Sequence, residues 1–155
     1  MLSFFLSCFY SLIACMGFCL VYNLRGSLIL TASLGGAAGW CAFQLFAFSG
    51  NDILQYFLAT IAISVYAEIM ARLYRSPVTV FLIVALLPLV PGGGIYYTME
   101  YCIKGNIDMF IREGLHTFFI AGALALGILV VSSMVRLFSR IRSSLIKPPA
   151  PGKEG

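Results

Sequence analysis

Charge is what this sequence has least of. Only 10% of its 155 residues are Asp, Glu, Lys or Arg, while 61% are hydrophobic; soluble domains carry roughly 25% and 45–50%. Apolar residues in that proportion cannot all be hidden inside so small a globule, which excludes a water-soluble fold and makes lipid the solvent for much of the surface. Motifs that carry chemistry are missing as well. There is no G-x-S-x-G, no glycine-rich nucleotide loop and no H-E-x-x-H. The chain holds one histidine, and its five cysteines show neither C-x-x-C nor Cys/His metal-site spacing. No cofactor, metal or catalytic residue is therefore expected, and the chain is not read as an enzyme. Cys8, Cys15, Cys19 and Cys41 lie in apolar runs, as small polarizable packing residues do, and Cys102 lies near the outer end of the fourth run.

What the sequence has instead is apolar runs of membrane-crossing length, for which about 20 residues suffice. Five qualify: residues 2–22, 27–48, 53–71, 77–98 and 115–135. They are continuous rather than alternating in polarity, which disfavours barrel strands of about 10 residues and favours helices. The first run has no basic leader and continues through the lipobox-like Leu12-Ile13-Ala14-Cys15, so it reads as a span and not as a cleaved signal. The expected fold is an all-α membrane protein with a five-span domain over residues 1–137. A basic, Pro-rich tail over 138–155 follows, where Pro148, Pro149, Pro151 and Gly152 oppose folding.

The basic residues orient this bundle. Arg25, Arg72, Arg75, Arg136, Arg140, Arg142, Lys147 and Lys153 fall on one side of a five-span chain, and Lys104 and Arg112 on the other, with Asp52, Glu100, Asp108 and Glu113. The positive-inside bias puts the C-terminal tail in the cytoplasm and the N-terminus outside. The net charge of +4 sits at membrane exits beside anionic lipid, so lipid and not nucleic acid is the expected partner.

The most informative segment is in the fourth run. Pro88, Pro91, Gly92, Gly93 and Gly94 fall within seven residues, and such a stretch cannot continue a regular helix. From Pro77, eleven residues to Leu87 rise roughly 16 Å, which puts the break near mid-membrane. A break there frees carbonyls on one half-helix and N–H groups on the other, groups tolerated only against protein or a wet cavity. The N–H end favours a carboxylate and the carbonyl end a cation; a proline kink serving only tight packing is the competing reading.

Other polar residues are few. Glu68 is the single acidic residue inside a span and lies four before Arg72 on one helical face. The pair reads either as a proton or cation relay or as a structural pair at the interface. His116 and Thr117 open the fifth run from the outer side, where an imidazole can titrate near neutral pH. Gln44 suits a hydrogen bond between helices, and Gly35/Gly39 and Ala123/Gly127 form small-residue faces that permit close contact, within the chain or with another subunit. Tyr22, Tyr74, Tyr96, Tyr97 and Tyr101 suit interfacial anchoring.

Pro77, the apolar stretch into Pro88-Leu89-Val90-Pro91-Gly92, Tyr96 and the small-residue helix over 120–127 resemble the threonine/serine exporter family, in its short C-terminal-type module and over nearly the whole chain except the tail. The resemblance implies a subunit in the bacterial inner (cytoplasmic) membrane that exports threonine and serine, or in relatives dicarboxylates such as succinate. It also implies a larger partner subunit carrying the family's N-terminal module. Two related modules with an odd number of spans are able to assemble as an inverted pair around a midplane site.

The sequence thus reads as half of a secondary exporter, with Pro88, Pro91, Gly92, Gly93, Gly94 and Tyr96 along the substrate path, and Glu68, Arg72, His116 and Thr117 as ion- or proton-coupling candidates. The alternative is an assembly subunit with no substrate site of its own. The outer segment 102–114 is too short for a soluble catalytic domain. The orientation is directly testable: an impermeant maleimide should label Cys102 in intact cells, and a Lys153→Cys substitution only after the membrane is opened. The opposite pattern would invert the topology.

Overall fold

A computed structural model describes residues 2–146; Pro148, Pro149, Pro151 and Gly152 of the tail lie outside the described residues. All regular structure among these residues is helical: α1 (Leu2–Val21), α2 (Ser27–Leu45), α3 (Asp52–Tyr74), α4 (Val78–Leu86), α5 (Gly92–Ile103) and α6 (Ile107–Ile146), with short 3-10 turns at Phe46–Ser49 and Leu87–Leu89. Four of the helices are long and apolar enough to cross a membrane. The α4–α5 pair, bent by 53°, makes the fifth span when counted as one. This is the all-α membrane fold with a broken fourth span that the sequence predicts.

Residues at the helix boundaries set the connections. Asn51 caps α3, its side chain accepting from the N–H groups of Ile53 and Leu54 at 3.1 and 3.4 Å. Arg75 closes the same helix in the left-handed region at φ 49°. The segment 102–114 is not a loop. α5 runs to Ile103, Gly105 turns the chain at φ 70°, and Asn106 Oδ1 accepts from Met109 N–H to start α6. Two turns of α6 therefore precede the apolar run that sequence reading takes as the span. At its other end α6 continues through residues 138–146, which the sequence assigns to the tail.

α2 is the centre of the bundle, in contact with α1, α3 and α4; α6 packs on α3, and α5 packs chiefly on α6. One core cluster joins Cys15, Cys19, Ala32, Ala67, Phe81 and Val84, and a second joins Ala59, Ile63, Ala85, Leu89 and Leu124. Phe5, Phe9, Leu20, Leu73 and Phe118 point outward, as lipid-facing positions do.

With no hydrophobic drive between helices in lipid, close packing and interhelical hydrogen bonds hold the bundle. Both small-residue faces are used inside the chain: Gly35 and Gly39 take Tyr66 and Ile63 of α3, and Gly127 takes Thr60 of the same helix. Tyr66 donates to Thr31 O at 2.6 Å, and Gln55 Nε2 to Phe43 O at 2.7 Å. Gln55, rather than Gln44, thus makes the amide bond between α2 and α3.

Gly36 is the tightest of these contacts, because a Cβ there would overlap Cys15 Sγ. Gly17, on α1, has open space around it. Gly36→Val should therefore destabilise the protein by about 1–3 kcal/mol, seen as a lower melting temperature in detergent, while Gly17→Val leaves it close to wild type. Equal behaviour of the two variants would mean that α1 does not seat on Gly36.

Candidate functional site

The break is built by two prolines that cannot donate. Pro88 has no N–H for the carbonyl of Val84, four residues back, and that carbonyl instead accepts from the Leu87 N–H and from Cys15 Sγ of α1 at 3.4 Å. Pro91 likewise leaves the Leu87 carbonyl to the N–H of Val90 at 3.3 Å. Leu89, between the prolines, is 1% exposed and sits over Gly39 of α2. The carbonyl side of the break is closed and packed.

The N–H side is open. Val90 is extended and Pro91 caps α5; the Gly92 N–H turns back to Val90 O at 2.7 Å, and Ile95 N–H is the first to bond in helical fashion, to Pro91 O at 3.1 Å. Among the described residues nothing accepts from the N–H groups of Gly93 and Gly94. Gly92 and Gly93 are exposed, with no atom near where a Cβ would stand.

Gly94 is different, because Thr117 of α6 lies so close that a Cβ would overlap its Oγ1. Thr117 is only 9% exposed, yet among the described residues its hydroxyl has no hydrogen-bond partner. Two free N–H donors at the positive end of a helix dipole, with an unpartnered hydroxyl behind them, form an arrangement chemically suited to a carboxylate.

The other sequence candidates lie elsewhere. Tyr96 projects from α5, 65% exposed, with its ring 5.5 Å from that of Tyr97 in an edge-on pair. His116 Nε2 stands 3.9 Å from Asp52 Oδ2, tying the outer part of α6 to the start of α3. Glu68 and Arg72 line a separate crevice between α3 and α6. The fold thus brings Thr117 to the glycines and leaves His116, Glu68 and Arg72 away from them. Cys15 was missed as a site-building residue, since a thiol in an apolar run carries no local signal of the carbonyl it serves 69 positions away.

No curated protein and no solved structure matches the chain. The sequence model of the family described as Threonine/Serine exporter, ThrE, matches residues 7–134. That stretch takes in α2 to α5, almost all of α1 and the part of α6 that carries Thr117. By that match the chain belongs to the threonine/serine exporter family.

Proposed function

We propose that the chain is one subunit of a secondary exporter for small amino acids, threonine and serine foremost, or for related carboxylates such as succinate, and that substrate passes the open side of the break. The observation that carries this reading is the pair of unbonded N–H groups at Gly93 and Gly94, backed by the unpartnered Thr117 hydroxyl. Nine residues of α4 precede the break and twelve of α5 follow it, so these donors lie deep in the bilayer, where lipid offers them no acceptor. Water, a ligand carboxylate or another protein surface has to meet them.

In this proposal a larger subunit covers that side. α5 buries none of its residues and the exposed glycines lie at its start, so a second module seated there would close a midplane site between the two. The pair would sit in the bacterial inner membrane, with this chain's N-terminus outside and its tail in the cytoplasm. The competing reading, an assembly subunit, draws on the packed carbonyl side with its buried Leu89; a kink that only served packing would have no use for open donors on its other side.

Two substitutions separate the readings. Gly93→Leu fills open space, so insertion and folding should survive while export falls to background. Thr117→Val removes a hydroxyl that has no partner among the described residues; it should leave stability unchanged or slightly raised, yet lower export at subsaturating substrate about five- to tenfold, as expected for one lost hydrogen bond of about 1 kcal/mol. The measurement is efflux of labelled threonine, serine and succinate from cells lacking their own exporters, for this chain alone, the partner alone and both. Wild-type rates from Gly93→Leu would favour the assembly subunit.

A further inference from the structure

We infer that the crevice between α3 and α6 is a loading site for a zwitterion, in which Glu68 meets the ammonium group and Arg72 the carboxylate. The inference rests on the exporter reading and on a cytoplasmic C-terminus, and it chooses amino acids over dicarboxylates.

The crevice has a volume of about 290 Å³ and is lined by Val65, Glu68, Ile69 and Arg72 of α3 and by Val131, Val135 and Phe138 of α6. At about 30 Å³ per water it has room for roughly ten waters, the scale of a small amino acid. Glu68 lies six residues before the end of α3 at Tyr74, about 9 Å inside that end at 1.5 Å per residue. A solute from the cytoplasm would meet it before the break.

Glu68 and Arg72 occupy adjacent turns of one face in the order that favours an ion pair. They do not make one. Among the described residues the ion pairs within 4.0 Å are Lys104 with Glu100 and His116 with Asp52, so both charges stand in an apolar-walled crevice without a protein partner. An unpaired charge at the depth of the half-buried Glu68 is costly, and a ligand carrying one charge of each sign relieves it while meeting Arg72, which is exposed one turn nearer the end of α3. Arg72 takes its anionic end and Glu68 its ammonium. A dicarboxylate gains Arg72 but is repelled by Glu68. The same pairing of ammonium and anion occurs in a phosphatidylethanolamine headgroup, so the test has to tell a free solute from lipid.

The test uses efflux by the assembled exporter and chemical modification of Glu68 in inside-out vesicles. Glu68→Gln should cut threonine efflux tenfold or more at low substrate while leaving succinate efflux unchanged or raised, and Arg72→Gln should cut both. Parallel changes for the two substrates in Glu68→Gln, or none, would overturn the inference. Independently of transport, threonine should slow carbodiimide modification of Glu68 several-fold, read by mass spectrometry, and succinate should not. That protection should persist in the full chain carrying Gly93→Leu, so a dead break and an empty crevice are read separately. In vesicles made without phosphatidylethanolamine the protection by threonine should be unchanged. If Glu68 instead becomes several-fold more reactive there and threonine protects nowhere, the headgroup is the occupant and the loading site is disproved.

Discussion

The structure turns on one carbonyl. In a bilayer every backbone polar group has to be met by protein or by a wet cavity, and Pro88 takes away the partner of Val84. The Cys15 thiol supplies a replacement from another helix at 3.4 Å, and it reaches that position only because Gly36 offers no Cβ to block it. Ser11, one turn earlier on α1, donates to Gly36 O at 3.2 Å and holds the two helices in register. The broken span is thus anchored by α1 and α2, which contribute none of the open donors themselves. Their arrangement explains why so small a chain keeps a defined break instead of a frayed helix.

The two sides of the break have opposite characters, and the difference is chemical. On the carbonyl side, the Val84 carbonyl is met by a thiol and by the Leu87 N–H, the Leu87 carbonyl by the Val90 N–H, and Leu89 is sealed against Gly39. On the N–H side, three consecutive glycines remove every side chain that might cover the backbone. A break built only to bend a helix would satisfy both sides alike. Packing over one side while the donors of the other stay open fits a transport family whose substrates carry carboxylates, with Thr117 pressed to the open turn.

Much of this was legible in the sequence because the signals are local. Span number follows from apolar run length, and the break from the density of Pro and Gly between 88 and 94, since both act on their own backbone. What was not legible depends on rotation or on distant contacts. His116 and Thr117 are neighbours in sequence and were read together, but successive residues on a helix point about 100° apart. One therefore faces Asp52 and the other Gly94. Hydropathy marks where lipid begins and not where a helix begins, so it leaves the two turns of α6 started by Asn106 in the outer segment, before the span. The i,i+4 rule brings Glu68 and Arg72 to one face, yet proximity along a helix is not a bond, and the crevice wall formed by α6 was invisible from α3 alone.

The anchoring of the two half-helices is uneven, and that limits where movement at the break is possible. α4 is held on several sides, by α1, α2 and α3, with Phe81, Val84 and Ala85 fully buried. α5 has no buried residue and leans chiefly on α6. The joint between them lies outside either helix, with Val90 extended and Pro91 capping α5, so rotation at Val90 is able to absorb a change of angle without breaking a helical hydrogen bond. Any rearrangement that follows the filling of the donors at Gly93 and Gly94 is therefore carried by α5, not α4. Because Gly94 is wedged on Thr117, α5 cannot tilt freely against α6. Movement of α5 would therefore take α6 with it, against the contact of α6 with α3, where Gly127 meets Thr60 and where the Glu68 crevice opens. Filling the break and opening the crevice would then be two ends of one displacement.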